Sequence, residues 1–366
     1  DPLPILMTMA AVTTHLGLGA TCSTTYYEPF HVARTFATID HMTGGRAAWN
    51  VVTSVNDGEA LNMGRSEAME HDLRYDRADE FLEVVLGHWD SWDDDALIID
   101  KAGRRFGDGS KVRRLDHAGD FFNSRGPFTV PRTPQGHPVI IQAGQSGRGQ
   151  RFAAQWGELI FTSDSNLAAG KASYDKLKSD AANQGRDPDQ MVICSLVTTV
   201  VGNTKSEAED KMALLKDLVE EVDQLSLLAE GLNVDFSGYD LDAPMTTEQM
   251  DSISGFQGMR DQVIRDSGTN HPSVRDFLKH NYRGRPDEAL VGTPAEIADI
   301  LEERFTTPIC DGFVVAATHI PGGYGEFVDL IVPELQRRGI YHTDYTGTTL
   351  RENLGMTNPE IGAWRD

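Results

Sequence analysis

Residues 136–157 read GHPVIIQAGQSGRGQRFAAQWG. Within them, 138–142 form a short continuous apolar run rich in β-branched residues, the pattern of a strand buried on both faces. The run breaks at Ala143 and Gly144, and from Ser146 onward Phe152, Ala153 and Trp156 fall at helical spacing. A strand therefore ends in a small-residue turn that opens directly into a helix. The first N–H groups of such a helix lack intrahelical partners and carry the positive end of its dipole, so Ser146 and Gly147 offer a hydroxyl and an unobstructed backbone to a phosphate. Ser146 is also a favoured N-cap with no ligand at all, and unliganded caps outnumber phosphate sites, so this stretch alone favours the plain cap.

Outward from this stretch the same alternation continues. Residues 16–22 (LGLGATC) and 46–53 (RAAWNVVT) read as strands before it, the second entered from the Gly44-Gly45 turn. Residues 158–162, 191–202 and 311–317 read as strands after it, the middle one strongly β-branched. Helices are expected at 1–12, 30–41, 71–92, 168–184, 293–305 and 324–338, with Thr293 as N-cap and Pro294 at the first helical position. Residues 93–134 read as an irregular excursion with a short hairpin between 96–100 and 115–122. Residues 203–285 read as a helical, charged insertion, and the tail from Gly339 is polar and loosely patterned.

Strands alternating with long helices, without an antiparallel block, imply a parallel sheet with helical crossovers. The expected fold is α/β: a (β/α)8 TIM barrel with insertions at about 93–134 and 203–285, forming one domain over 1–366. Six strands are legible, and the first residues begin without a lead-in, so the first two βα units are expected to be missing from this chain. A doubly wound sheet fits the alternation too, but no G-x-G-x-x-G fingerprint follows a first strand.

The chain carries 33 basic and 56 acidic residues, a formal charge of -23, which disfavours nucleic acid and anionic membrane as partners. Cys22, Cys194 and Cys310 are widely separated, with no paired spacing, so neither a disulfide framework nor a zinc site is expected. Without a membrane-length apolar run or a basic-then-apolar leader, the expected location is the cytoplasm.

On a barrel, Thr21 ends one strand and Asn50 lies near the end of the next. His71 and Tyr75 lie four apart at a helix start, and Ser146 sits at the turn after a third strand. All would fall at the C-terminal rim, where barrel active sites form. Each has a plain alternative: His71 bonding a loop carbonyl, Tyr75 packing in the core, Asn50 satisfying barrel backbone. The acidic run Asp72, Asp76, Asp79 and Glu80 reads as a solvated helix face, not a metal site. No HExxH and no G-x-S-x-G nucleophile elbow is present.

Three segments, 26–54 (YYEPFHVARTFATIDHMTGGRAAWNVVTS), 70–83 (EHDLRYDRADEFLE) and 136–157, resemble the bacterial luciferase-like flavin monooxygenases. The resemblance is closest to the branch of nitrilotriacetate monooxygenase component A, EDTA monooxygenase and dibenzothiophene-sulfone monooxygenase. It implies a (β/α)8 barrel with FMN, as FMNH2, at the C-terminal rim, supplied by a separate NADH:flavin reductase. It also implies insertion of one atom of O2 into a small organic substrate, of aminopolycarboxylate or organosulfur type. Matched residue by residue, Thr21, His71, Tyr75 and Ser146 fall on flavin-binding positions, with Asn50 and Gly147 as further contacts and Tyr75 and Ser146 at the phosphate. An aspartate that the family carries after its second strand has no counterpart here. No catalytic base is assigned; His319, just after the last strand, is a candidate for touching substrate. A homodimer or higher homo-oligomer is expected. The alternatives are a deazaflavin-dependent oxidoreductase of the same fold and a catalytically inactive flavin-binding barrel.

Overall fold

A computed structural model describes residues 1–144, 146–163, 166–280 and 289–365. Seven strands form one wholly parallel sheet: β1 (Leu18–Ser23), β2 (Ala47–Val52), β3 (Val139–Gln142), β4 (Leu159–Thr162), β5 (Val192–Val201), β6 (Leu290–Gly292) and β7 (Gly312–Ala317). They are hydrogen-bonded in the order β1-β2-β3-β4-β5-β6, with β7 also on β5. The register sets Thr21 opposite Asn50, Asn50 opposite Ile141 and Ile141 opposite Leu159. Strand β6 escapes sequence reading because it has three residues, too few to show a period. It nonetheless continues the sheet by pairing with Thr199 to Val201 at the end of the ten-residue β5.

The helices that cover this sheet start and stop for local reasons. Helix α1 (Pro2–Val12) is capped by the Asp1 carboxylate. Helix α2 (Pro29–Thr43) ends where Gly44 turns left-handed at φ 67°, and Gly45 at φ 89° leads into β2. Helix α3 (His71–Trp89) starts on the Glu70 carboxylate, which accepts from the Leu73 amide; it stops three residues short of the expected Trp92. Helices α4 (Gly147–Trp156) and α5 (Leu167–Asn183) follow β3 and β4. Helix α6 (Pro294–Thr306) begins with a reciprocal capping box between Thr293 and Glu296. The final helical run, expected as one α-helix, contains a π turn at Phe327–Ile331 between α-helical pieces.

The largest core lies between the sheet and α2 and α3. Trp49, wholly buried, stacks on Phe36 at 5.6 Å and meets Phe81 at 5.9 Å and Trp89 at 6.5 Å, while its indole N–H donates to the Cys22 carbonyl. The opposite face of the sheet buries Ala48, Val139 and Ile141 against Leu350 and Leu354 from the C-terminal segment. All three cysteines are free and buried, and burial pushes their thiols up, Cys22 to about 11 and Cys194 to about 12. Thiols so held are poor nucleophiles.

Outside the sheet, the expected hairpin between 96–100 and 115–122 is replaced by two local ones. Leu97–Asp100 pairs with Arg105–Gly107, and His117–Ala118 with Asn123–Ser124. Short-range closure costs less chain entropy than joining the two segments to each other. Within 203–280 several helices gather a hydrophobic cluster of their own around Leu228, Leu232, Val263 and Phe277.

The polar tail is held by charge. Arg351, buried, donates from both terminal nitrogens to Glu158 at 2.8 and 2.9 Å, and also to the His137 carbonyl. Asp90 accepts from the Gly362 amide at 2.8 Å and the Trp364 indole at 2.9 Å, as well as from His137 and Arg132. Such anchors leave no hydrophobic period to read. Burial alone would raise the Asp90 carboxyl, but the His137 hydrogen bond and charge, the Gly362 amide and Arg132 outweigh it and hold it at about 2. A carboxylate whose folded pKa lies below its unfolded value stabilises the fold above the unfolded value and loses that contribution as pH falls toward the folded one. Asp90 should therefore contribute about 2 kcal/mol at neutral pH, lost between about pH 4 and pH 2. Denaturant titrations across this range should show that acid limb in the native chain and a flattened one in Asp90→Asn.

Candidate functional site

Because every strand of the sheet runs the same way, the loops that follow β1, β2 and β3 emerge at one end. On the sheet face that carries Gly19 and Ala48, the next residues along are Thr21 and Asn50, one pleat nearer that end. The Asn50 amide donates to Thr21 Oγ1 at 2.9 Å, and its own Oδ1 is buried with no partner among the described residues. An unpaired buried carbonyl costs free energy unless a ligand supplies the missing donor.

Beyond this pair, the loops after β1 and β2 are tied together. Ser23 and Ser54 hydroxyls meet at 2.7 Å, and Thr25 donates to the Thr53 carbonyl at 2.6 Å. Ser54 holds φ 60°, an uncommon conformation for a residue with a side chain. Sequence reading singled out neither serine, since lone serines in a loop carry no pattern.

The third part is the start of α4 against α3. Ser146 Oγ caps α4 by accepting from the Gly149 amide at 3.0 Å. The same oxygen lies 3.5 Å from His71 Nε2, and the Tyr75 hydroxyl faces the hydroxyls of Ser146 and Thr53. Burial, only partly offset by these hydrogen bonds, raises the Tyr75 phenol above its usual range, so it stays protonated and able to donate. His71 is held from its other side, with Nδ1 at 2.7 Å from Asp72, and its ring meets Tyr75 edge-on at 5.2 Å. The anchor for His71 is thus a neighbouring carboxylate rather than a loop carbonyl.

Glycines permit this approach. A Cβ on Gly149 would lie 2.8 Å from the Tyr75 hydroxyl and 3.0 Å from Gly144 Cα, whereas one on Gly147 would meet nothing within 4 Å. Gly147 therefore leaves open space in front of the first amides of α4, and Gly149 lets the helix close on Tyr75. Gln145 lies outside the described residues.

The acidic run on α3, expected to be a solvated face, is instead largely engaged. Asp76 and Asp79 both accept from Arg148, Asp79 also accepts from the Trp156 indole at 2.7 Å, and Arg148 sits over the Tyr75 ring at 5.3 Å. Glu80 accepts from the Phe121 and Phe122 amides at 2.8 and 2.7 Å and faces His117 at 3.0 Å. The α3 carboxylates thus clamp α4, and with it Ser146, onto α3.

The structure brings Thr21 to Asn50, and His71, Tyr75 and Ser146 to one another. His319 stands apart from both groups: it is exposed just beyond β7 and touches Thr318 at 3.2 Å, with no contact to the other candidates among the described residues. A separate cleft of about 550 Å³ opens beside α3, lined by Asp57, Leu61, Met69, His71, Arg74 and Gln257 among others. A volume of this order suits a small organic ligand.

A family model described as luciferase-like monooxygenase matches residues 1–310. Dibenzothiophene-sulfone monooxygenase of Rhodococcus erythropolis is 44% identical over 365 residues, covering 99% of this chain and 80% of its own. Nitrilotriacetate monooxygenase component A of Aminobacter aminovorans is 40% identical over 361 residues, covering 98% and 80%. The crystal structure of riboflavin lyase with modified FMN and riboflavin matches with a TM-score of 0.88 at 33% identity, over 98% of this chain and 78% of that one. A parallel α/β sheet with a rim of this kind, and full-length similarity to these enzymes, make the chain a flavin-dependent monooxygenase belonging to the luciferase-like monooxygenase family.

Proposed function

We propose that this chain is the oxygenase of a two-component system. It would take reduced FMN from a separate NADH:flavin reductase and insert one atom of O2 into a small organic substrate of organosulfur or aminopolycarboxylate type. The single observation that carries the flavin assignment is the buried Asn50 Oδ1, partnerless among the described residues, beside Thr21 and at the same end of the sheet as an open helix start ringed by His71, Tyr75 and Ser146. The "component A" in the name of the nitrilotriacetate relative supports a partner that supplies electrons. Its substrate and the sulfone of the other relative support the substrate class. The fold that accompanies this reading is a (β/α)8-type barrel in one domain, carrying the 93–134 and 203–285 segments as insertions.

In this reading Ser146, Tyr75 and the open amides at Gly147 hold the phosphate ester, where the helix dipole favours negative charge. Thr21 and Asn50 face the ring system, with Asn50 Oδ1 accepting a ring N–H. His71, oriented by Asp72, closes the wall between the phosphate corner and the cleft beside α3. Reduced flavin, when bound, supplies the two electrons that activate O2. The protein orients substrate against it and keeps water out. The 203–280 helices and the 57–70 segment, which together line the cleft, would shape the substrate's space.

Two measurements test this. Supplied with NADH, FMN, a flavin reductase and 18O2, the enzyme should give product from a sulfone or aminopolycarboxylate carrying one labelled oxygen. Oxygen uptake that no such compound raises above the reductase background would remove the oxygenase assignment. Second, Ser146→Asp places a carboxylate against the phosphate and should weaken FMN binding by on the order of 100-fold, while riboflavin, which lacks the phosphate, is bound as before. Unchanged FMN affinity in fluorescence titrations would take the phosphate away from this helix.

A further inference from the structure

Among the described residues three arginines, Arg46, Arg74 and Arg351, are buried at 5%, 5% and 2% exposure. Two of them have partners for their side chains, although Arg351 Nε, like Arg74 Nε, is enclosed without one among the described residues. Arg46 donates to the carbonyls of Thr43 and Leu16 at 2.9 and 3.0 Å, and Arg351 is paired with Glu158. The Arg74 side chain has no hydrogen bond and no ion pair among the described residues, and its Nε is enclosed without a partner. A guanidinium cannot shed its proton, so this is a permanent charge largely removed from bulk water, open only to the cleft it lines and with no counter-ion at ion-pair distance among the described residues. Buried charges are ordinarily paired, and an isolated one is costly.

The surroundings of Arg74 point to what neutralises it. Its side chain lines the cleft beside α3, between the 57–70 segment and Ser254 and Gln257 of the helical segment. Three carboxylates line that cleft: Glu70 caps α3, Asp57 accepts from Ser254, and Glu67 forms no ion pair with Arg74 among the described residues. Glu70 and Asp57 form none with it either. The rest of the lining is mixed, with Leu61, Ala68 and Met69 beside Ser66, His71, Ser254 and Gln257. Among the lining residues Arg74 is a cation with no carboxylate at ion-pair distance, beside apolar surface from Leu61, Ala68 and Met69, a pairing that fits the anionic group of an organic ligand.

We propose that Arg74 is the receptor for an oxyanion, a carboxylate, sulfinate or phosphate ester, brought into this cleft by one of the enzyme's ligands. Both the substrate and the flavin can carry such a group, and the geometry favours the substrate. The cleft is lined by His71 and Arg74 but not by Thr21, Asn50, Tyr75, Ser146 or Gly147. Tyr75 and Ser146 turn to the α4 side of His71, and Arg74 to the cleft side. The assignment depends on the oxygenase reading above for its choice of probes.

The test titrates the native protein and the Arg74→Gln and Arg74→Lys variants with riboflavin, FMN, nitrilotriacetate and sulfate by calorimetry, and melts each without ligand. Arg74→Gln should weaken at least one of the three anions by on the order of 10- to 100-fold, with Arg74→Lys recovering part of the loss and riboflavin unaffected. Its melting temperature should hold or rise, because an uncompensated buried charge is removed. Loss for nitrilotriacetate or sulfate with FMN unchanged makes the anion the substrate's; loss for FMN with riboflavin unchanged makes it the flavin phosphate. Anion affinities indifferent to Arg74, including no anion binding by the native protein, would overturn the proposal. So would a melting temperature that falls in Arg74→Gln while anion binding stays the same, since Arg74 would then be a structural cation. A native protein that binds neither flavin would count against the oxygenase reading, leaving nitrilotriacetate and sulfate to decide the role of Arg74.

Discussion

The parallel run of the sheet is the constraint on which the rest depends. Parallel strands cannot be joined by tight turns, so each is followed by a crossover, and all the loops that follow strands gather at one end. That geometry turns separate polar residues into a group: the register that sets Thr21 opposite Asn50 is fixed by ladder hydrogen bonds alone. It also brings Ser146, which follows β3, toward His71, which follows β2. The bonds that hold Ser146 in place then come from α3, through Tyr75, His71 and the Asp76 and Asp79 grip on Arg148.

What the sequence makes legible follows from the range of the forces involved. The run at 138–142, the small-residue turn and the helix start at Ser146 are local, and the structure has them where their spacing puts them. The Thr293 cap is likewise local and is found with its reciprocal Glu296 bond. Strand β6 is not legible, because three residues between a charged segment and a helix cap take their conformation from pairing with β5. The segments near 97 and 117 have strand-like composition, but which partner each takes is settled by loop closure that composition does not encode.

The candidate site divides in the same way. Thr21, Asn50, His71, Tyr75 and Ser146 stand out because each ends or begins an element, and element ends are visible. Ser23 and Ser54, and the role of the α3 carboxylates as a clamp, depend on contacts between residues 31 to 72 apart in the chain. An acidic helix face looks the same in sequence whether water or an arginine from another helix covers it. Arg74 is hidden for the opposite reason: a charged residue on a helix normally reads as solvent-facing, and only the packing of α3 turns it inward.

Charged groups at the two ends of the sheet find their partners in different degree. On the side of the C-terminal tail, Asp90 meets His137, Arg132, Gly362 and Trp364, and Glu158 meets Arg351, so charges taken out of water are compensated within the chain. Where the loops after β1, β2 and β3 emerge, Asn50 Oδ1 has no donor and Arg74 no anion among the described residues, and Ser54 sits in a conformation that side chains rarely adopt. The tail network, joined through His137, shows that the chain pairs buried charges, although Arg351 Nε within it is enclosed without a partner. Enclosed atoms without partners also occur away from this rim, at Asp40 Oδ2, His88 Nδ1 and Arg351 Nε among the described residues, so an orphaned atom points to a ligand only where, as at Asn50, it stands beside other polar groups at the loop end of the sheet.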